Sequence, residues 1–256
     1  MAKTAAKTAL RLGLLWPGGG AEQEYYQFAE ALDDRVKIFL APTRVGGGED
    51  DDHEVEHLKQ TARVDWLLEA ARRLICLKPD TIYWACTSGS FVLGRDHALA
   101  QVAAIEKETG APAGSTSLAF ARALKRLGLK RVSVLATYPE PASRAFAAFL
   151  AEHGIKVVHL QWLDAQSGWA ASVMPREKVI AGARAAAVEG AEAVLVPDTA
   201  MPTLHLAEEL EAAAGLPVLT ANQVTLWDAM RLAGGGIRVK GFGSTFDRLD
   251  AAEAAA

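Results

Sequence analysis

The sequence predicts an α/β fold made of two similar Rossmann-like halves, each with a parallel sheet covered by helices. Short apolar segments alternate with longer segments of helical periodicity, and their order repeats after about residue 115. In both repeats one apolar segment ends in a residue that can move a proton. We therefore expect two halves related by a pseudo-twofold axis, with an active site in the cleft between them.

The first half is expected to span residues 11–115. Strands are predicted at 11–16, 36–40 and 81–85, and helices at 22–32, 53–77 and from the turn after Cys86 to 109. The inward positions expected for the first helix are Tyr26, Phe28, Ala29 and Leu32. A glycine-rich and then acidic stretch at 42–52 predicts a loop. Cys76 lies inside the long helical pattern and is interpreted as a core residue.

The second half, residues 116–221, repeats this plan. Helices are predicted at 117–127, 142–153, 176–189 and 204–214, and strands at 131–136, 156–160, 193–196 and in a short segment ending at Thr220. A loop at 161–175 carries Trp162 and Trp169, which either form an apolar side pocket or anchor the loop. A closing helix at 222–233 is expected to pack on the first half. The expected flexible tails are residues 1–10 and 245–256.

The repeat matters most where one buried strand of each half ends. One ends at Cys86-Thr87 and the other at Asp198-Thr199, and in each half a helix and then a Gly-Xaa-Pro segment follow. Ligands of open α/β sheets bind beyond the carboxyl ends of the strands. Because a pseudo-twofold axis would direct both ends at one cleft, we expect Cys86 and Asp198 to face each other across a ligand.

Composition limits the classes of partner. The chain has 256 residues, half of them apolar, with a net charge of −4. This balance gives no electrostatic reason to expect nucleic acid or an anionic membrane, so a small soluble ligand is the better candidate. Two cysteines do not make a disulfide framework, and we found no secretory signal or membrane-spanning run. We expect a cytoplasmic protein with reduced thiols, and homo-oligomer formation stays open.

With its two strand ends paired, the chain resembles the aspartate/glutamate racemase superfamily, in the branch of arylmalonate decarboxylases and maleate cis-trans isomerases. The segments that carry the likeness are residues 86–91 (CTSGSF), 135–138 (LATY), 196–199 (VPDT) and 226–234 (LWDAMRLAG). The resemblance implies a cleft that works without metal or cofactor. It also implies that racemases and maleate isomerases carry cysteines at both strand ends, whereas the decarboxylases keep the second-half cysteine alone. This chain departs from both patterns, since Cys86 is in the first half and Asp198 stands at the second position.

The same resemblance assigns residues to substrate. Thr87, Ser88 and Tyr138 match positions whose hydroxyls, with backbone N–H groups, bind a carboxylate and the enediolate derived from it. The loop that begins with Pro17 and Gly18 matches one that contacts substrate. The remaining candidates for the pocket wall are Thr199 and Trp169. An alternative stays open for Thr87 and Ser88, since such residues also cap the helix that follows them.

Cys86 and Asp198 can each be interpreted as a structural residue instead of a catalytic one. A buried strand-end cysteine is often an inert small hydrophobe, and an aspartate before a helix is often an N-cap. The reference pKa values of a cysteine and an aspartate differ by about 4.6 units, on the order of 6 kcal/mol in free energy. We consider the case in which the two residues face each other and share one proton. A shared proton would then sit on sulfur. Such a thiol and carboxylate suit proton delivery from one face better than symmetric exchange.

Two other motifs carry weaker signals. Gly18, Gly19 and Gly20 follow the first strand, but the G-x-G-x-x-G spacing of a dinucleotide site is absent. His53 and His57 are four residues apart beside an acidic run, a spacing open to a metal ion. A solvated junction between loop and helix explains these histidines equally well, and no metal is expected.

The sequence thus favours a cofactor-independent lyase that decarboxylates a malonate-type or related small dicarboxylate through an enediolate protonated by Cys86. One alternative is a racemase or cis-trans isomerase that uses Cys86 with Asp198 as the second acid or base. A further alternative is a two-lobed protein that binds a carboxylate without chemistry.

Overall fold

The computed structural model describes residues 9–47 and 52–254, which form two four-stranded parallel sheets. The first sheet has the order β2-β1-β3-β4, from strands β1 (Leu10–Trp16), β2 (Val36–Pro42), β3 (Thr81–Trp84) and β4 (Ala113–Ser115). The second has the order β6-β5-β7-β8, from strands β5 (Arg131–Ala136), β6 (Lys156–Trp162), β7 (Ala193–Val196) and β8 (Val218–Thr220). Both sheets have the same strand order, which confirms the expected α/β fold with a duplicated plan.

Helices cover the sheets. Those of the first half are α1 (Glu22–Ala31), α2 (Val55–Thr61), α3 (Val64–Ile75), α4 (Ser88–Phe91) and α5 (Gly94–Thr109). Those that follow are α6 (Thr116–Leu127), α7 (Glu140–Glu152), α8 (Gly168–Ser172), α9 (Arg176–Ala186), α10 (Ala207–Ala214), α11 (Ala221–Leu232) and α12 (Thr245–Ala254). Among the described residues, none of the helices combines the length and the apolar character needed to cross a membrane.

Two predicted helices are divided in the structure, and strand β4 and helix α8 are not among the predicted elements. The helix predicted at 53–77 is two helices, because Arg63 adopts an extended conformation with ψ 128° between α2 and α3. The helix predicted after Cys86 is also broken, since Gly94 has φ +79° at the start of α5. Strand β4 was not predicted, because its three small residues carry no apolar periodicity. Helix α8 lies within the loop predicted at 161–175.

Two burial predictions and one predicted flexible tail are wrong in this part of the structure. Tyr26 is exposed, and Tyr25 occupies the buried position on α1 instead. Cys76 is exposed rather than part of the core, since α3 ends at Ile75. The predicted tail at 245–256 contains α12, and the Phe246 ring stacks on Phe28 with centroids 5.8 Å apart. Of the other predicted tail, residues 1–8 lie outside the described residues, and Leu10 begins β1.

Helix α11 is buried along most of its length against the first sheet. A capping box formed by Thr220 and Gln223 begins it. The Tyr83 hydroxyl of β3 donates to Asp228, and the hydroxyls of Thr116 and Thr225 are 2.7 Å apart. Because Thr116 opens α6, these bonds attach both α6 and α11 to the first half, although both follow β4 in the chain.

The halves share an apolar core. Phe91 of α4 contacts the rings of Tyr138 and Phe146, with centroids 5.6 and 5.3 Å apart. Phe91 ends α4, the short helix that follows the β3 strand end, and Tyr138 lies two residues after β5. These contacts hold the carboxyl ends of the two sheets next to each other.

Candidate active site

The first strand end presents a buried thiol. Cys86 follows β3, and its side chain is 1% exposed. The Gly89 N–H donates to Sγ at 3.2 Å, and the Ser88 hydroxyl lies 3.5 Å from the same sulfur. An N–H directed at sulfur favours the thiolate over the thiol. The sulfur thus lies out of solvent beside one backbone donor and one hydroxyl.

Thr87 offers a hydroxyl that the fold does not use. Its Oγ1 is buried and has no hydrogen-bond partner among the described residues. Thr87 stands at the N-cap position of α4 yet makes no side-chain cap bond, so the capping interpretation is wrong for this residue. Its carbonyl is held by the hydroxyls of Ser90 and Ser117, at 3.0 and 2.9 Å. Because an unpaired buried hydroxyl is costly, this group is a candidate for binding a ligand oxygen.

The second strand end presents a buried carboxylate. The Thr137 hydroxyl donates to Oδ2 of Asp198, and the Ala200 N–H donates to Oδ1 at 2.8 Å. Helix α10 begins only at Ala207, so Asp198 stabilises a loop turn and is not the cap of that helix. Burial raises the pKa of Asp198, and nearby His53 together with the Thr137 and Ala200 bonds partly offsets this rise.

One phenol lies within electrostatic range of both strand ends. Burial raises the pKa of Tyr25 well above its ordinary value, and the charges of Glu24, Cys86 and Asp198 raise it further. Cys86 belongs to the first half and Asp198 to the second. Both predicted residues are therefore close enough to Tyr25 for their charges to act on its pKa, one from each half.

Tyr138 and His53 form an adjoining wall. Tyr138 is buried, and its ring lies between Phe91 and His53, with the His53 centroid 4.7 Å away. His53 is only 2% exposed, so the expectation of a solvated junction is wrong for it. Its Nδ1 is 2.8 Å from the Ala165 carbonyl. A carbonyl only accepts, so Nδ1 is the ring nitrogen that carries hydrogen.

The same histidine helps to join the halves. The backbone N–H of His53 donates to the Gln166 carbonyl at 3.0 Å, and the backbones of Asp52 and Ser167 form an isolated antiparallel β-bridge. His57 is bonded to Asp52 at 2.9 Å. Within 9–47 and 52–254, no group of three or more His, Cys, Asp or Glu side chains is arranged to hold a metal ion.

The glycine loop after β1 crosses to the second half. A Cβ on Gly19 would lie 2.7 Å from the Ala200 Cβ, and one on Gly20 would lie 2.9 Å from the Trp169 ring. Gly18 has φ +106° and faces open space, next to the half-buried Pro17. Glycine therefore permits this loop to lie close to the Asp198 loop.

The two tryptophans of the 161–175 segment have different surroundings. Trp169 packs over the backbone of Gly20, which favours the anchoring interpretation. Trp162 ends β6 on the outer surface, where the Arg144 guanidinium lies 6.0 Å from its ring centroid. Thr199 is buried directly after Asp198, and its carbonyl accepts from Asn222 at 3.2 Å.

Sequence reasoning missed several polar residues at this site. They are Glu24, Tyr25, Thr137 and Asn222, whereas the sequence indicates His53 only as a possible metal ligand. A signal existed for Tyr25, because it is spaced three and seven residues from the buried Phe28 and Leu32 on one face of α1. No comparable signal marked Asn222, which lies in a helix buried on almost every side.

Comparison with known proteins identifies the family. The model of the arylmalonate decarboxylase family matches residues 54–246. The chain is 30% identical over 190 residues to arylmalonate decarboxylase of Bordetella bronchiseptica, covering 73% of this chain and 79% of that protein. It is 27% identical over 171 residues to maleate isomerase of Nocardia farcinica, covering 64% of this chain and 68% of that protein.

Solved structures agree on the fold. A double mutant of arylmalonate decarboxylase in its liganded form superposes with a TM-score of 0.79 at 24% identity, covering 93% of this chain and 99% of that one. Maleate isomerase of Pseudomonas putida S16 with maleate superposes with a TM-score of 0.84 at 19% identity, covering 93% and 97%.

The relatives by sequence are a lyase and an isomerase, and the family match covers most of the chain. The chain is accordingly an enzyme of the aspartate/glutamate racemase superfamily, and decarboxylase or isomerase activity is supported. It belongs to the arylmalonate decarboxylase family.

Proposed function

We propose that this protein is a cofactor-independent decarboxylase of a malonate-type or related small dicarboxylate, with Cys86 as the proton donor. The observation that carries the proposal is the asymmetric pair of strand ends. A thiol that accepts the Gly89 N–H is the available acid, and a buried carboxylate, Asp198, stands at the equivalent place in the other half. The family match and the arylmalonate decarboxylase relative support the same reaction class.

The reaction balances with one proton. The bond between the α-carbon and one substrate carboxylate breaks, CO2 leaves, and the electron pair passes into an enediolate of the remaining carboxylate. The Cys86 thiol then transfers its proton to the α-carbon, which yields the monocarboxylate and a thiolate. The Gly89 N–H stabilises that thiolate until it takes a proton from solvent.

The enediolate needs fixed donors around its oxygens. The buried Thr87 hydroxyl without a partner is the first of these, and Ser88, beside the sulfur, and Tyr138 are the next. Each well-placed donor of this kind lowers the barrier by about 3 to 4 kcal/mol. Pro17, Gly18, Thr199 and Trp169 complete the proposed pocket wall.

Asp198 is assigned an electrostatic role. Its two oxygens are held by Thr137 and Ala200, so the carboxylate keeps a fixed position. A carboxylate near the departing substrate carboxylate destabilises the doubly charged ground state, and this repulsion ends when CO2 leaves. The same arrangement favours proton delivery by Cys86 from one face.

A second candidate is cis-trans isomerisation of an unsaturated dicarboxylate. The relative in Nocardia farcinica is a maleate isomerase, and a cysteine mutant of that isomerase has been crystallised with a covalently bound succinylcysteine intermediate. In this chain Cys86 would add to the double bond, the new single bond would rotate, and elimination of the thiolate would release the trans product. Asp198 would act as the second acid or base, the role it would also have in a racemase.

Proton NMR in D2O separates these reactions. The purified protein is incubated with phenylmalonate, methylphenylmalonate, maleate and aspartate. We expect loss of CO2 from a malonate with one deuterium at the α-carbon. Conversion of maleate to fumarate would favour the second candidate, and α-deuteration of aspartate without CO2 loss would favour a racemase. The decarboxylase proposal is overturned if both malonates stay intact, and binding without turnover of any probe would identify a carboxylate-binding protein.

A further inference from the structure

The buried carboxylate of Glu24 on α1 makes hydrogen bonds that take no part in the proposed reaction. Glu24 is 4% exposed. Its Oε1 accepts from the Leu204 N–H at 2.7 Å, and its Oε2 accepts from the Thr203 N–H at 3.0 Å. Oε2 also accepts from Asn222 Nδ2 at 2.8 Å. Glu24 belongs to the first half, whereas Thr203 and Leu204 belong to the loop that follows Asp198, so this carboxylate joins the halves.

Asn222 extends the connection. Its Oδ1 accepts from the Tyr25 hydroxyl at 2.8 Å. Its Nδ2 also lies 3.2 Å from the Thr199 carbonyl and 3.4 Å from the Met201 carbonyl. One amide therefore contacts Glu24, Tyr25 and the segment directly after Asp198. A change at Glu24 reaches that segment through a single residue.

The chain of bonds also orients Tyr25. A phenol has one hydrogen to donate, and Tyr25 gives it to Asn222, so its oxygen presents lone pairs to any other neighbour. The Trp16 ring packs edge-on against the Tyr25 ring, with centroids 5.4 Å apart, and restricts rotation of the ring. Near Cys86 and Asp198, Tyr25 is thus held as a hydrogen-bond acceptor.

The surroundings of the Glu24 carboxylate disfavour its charged form. Burial raises the pKa of Glu24 more than the bonds from Asn222, Leu204 and Thr203 lower it, so that the pKa is about 7. Tyr25 is linked to Glu24 through Asn222, and the other titratable or charged side chains that line the same cavity of about 360 Å³ are His205 and Arg176, the latter paired with Glu209. A buried charge of this kind contributes little to the stability of the fold, because its desolvation cost offsets its hydrogen bonds. We therefore look for a functional reason for Glu24.

We propose that Glu24, Asn222 and Tyr25 form a positioning chain that holds the loop after Asp198 in register with Cys86, and that this chain is complete only when Glu24 is ionised. An ionised carboxylate accepts all three N–H donors. A protonated one places its own hydrogen against one of them, which loosens the loop. The inference rests on the proposed roles of Cys86 and Asp198, and Glu24 acts through other residues rather than on substrate.

Two readouts test the chain, one with turnover and one without. The first is the pH profile of kcat and KM for the malonate that is turned over. The second is the rate at which iodoacetamide alkylates Cys86, measured in a Cys76→Ser background that removes the exposed thiol. We expect both profiles of the parent protein to contain a step near pH 7, from the carboxyl of Glu24. On the acid side of this step kcat falls, while KM changes less.

Glu24→Gln removes ionisation with little change of shape. We expect it to abolish the step in both profiles and to lower kcat about 10-fold at pH 8, a loss of about 1.4 kcal/mol in transition-state stabilisation. Glu30→Gln on the exposed side of the same helix is the matched control and keeps the step. If Glu24→Gln fails to fold, Tyr25→Phe replaces it, since it removes one hydroxyl, and it is expected to change the alkylation rate of Cys86.

The outcomes separate the two proposals. Parent-like profiles in Glu24→Gln, or in Tyr25→Phe where that variant replaces it, would overturn the positioning chain while decarboxylation stands. A step in the alkylation profile that Glu24→Gln removes, in a protein that turns over neither malonate, would support the chain and overturn the decarboxylase. Loss of the step in Glu30→Gln would also overturn the chain, because the titrating group would then lie elsewhere.

Discussion

The two strand ends occupy equivalent places in two sheets of the same strand order, yet they hold their reactive groups differently. After β3 the chain turns at once into α4, and the Gly89 N–H points at the sulfur of Cys86. After β7 the chain runs as a loop to Ala207, and both oxygens of Asp198 are bonded within their own half. The two sheets share one backbone plan, whereas the first end presents a thiol to a backbone N–H and the second presents a carboxyl group bonded at both oxygens.

The largest expected effect is loss of the thiol. Cys86→Ala removes the proposed acid, and general acid catalysis of this kind contributes about 10²- to 10⁴-fold. We expect kcat for the malonate substrate to fall about 10³-fold, measured by NMR of the products. Cys76→Ser, at the exposed cysteine, is the control and keeps full activity. Undiminished CO2 release by Cys86→Ala would contradict the role of the first strand end.

The two strand-end threonines test the comparison next. Thr87→Val removes the buried hydroxyl without a partner, so the fold loses no bond and the transition state loses a donor. We expect kcat to fall about 10²-fold with little change in melting temperature. The same substitution at Thr199 is expected to have a smaller effect, because the second end does not hold the enediolate. Equal losses at both positions would argue against the division of roles.

Asp198→Cys restores a second thiol, as the resemblance implies for racemases and maleate isomerases. We expect decarboxylation to slow about 10-fold, since the fixed charge is lost. We also expect the product to lose its enantiomeric excess, because either face can then receive a proton. Chiral chromatography of the product from methylphenylmalonate measures this change. Asp198→Asn is the control, because it loses the charge without adding an acid. A single retained enantiomer in Asp198→Cys would contradict the proposal that the residue at the second strand end decides which face receives the proton.

The smallest expected effect concerns the charge near Asp198. His53 lowers the pKa of this carboxyl, so His53→Asn should raise it further above its ordinary value. The group then stays protonated to a higher pH, and the stability that its protonated form contributes below the unfolded pKa is lost only as pH rises through the further raised pKa of the folded state. Carbon NMR of the Asp198 carboxyl over a pH series measures the change. His57→Asn is the control, and an unchanged titration in His53→Asn would separate this histidine from the second strand end.

Much of the fold could be predicted because its signals are local. Apolar runs and helical periodicity located β1, β5 and β7 closely, and turn residues marked their ends. The break at Arg63 could not be predicted, since the apolar stripe continues through it from α2 into α3. The burial of His53 could not be predicted either, because the groups that cover it, Ala165 and Tyr138, belong to the other half.

The sequence by itself determined the duplicated α/β plan and the pair Cys86 and Asp198, because both are written in short apolar segments and in the residue that ends each one. Tertiary structure alone decided what surrounds that pair. The bond from Asn222 to Glu24 joins residues 198 positions apart, and such a contact exists only when α11 packs beside α1. Side-chain hydrogen bonds depend on distance and direction between separate elements, and a linear pattern of residue types contains neither.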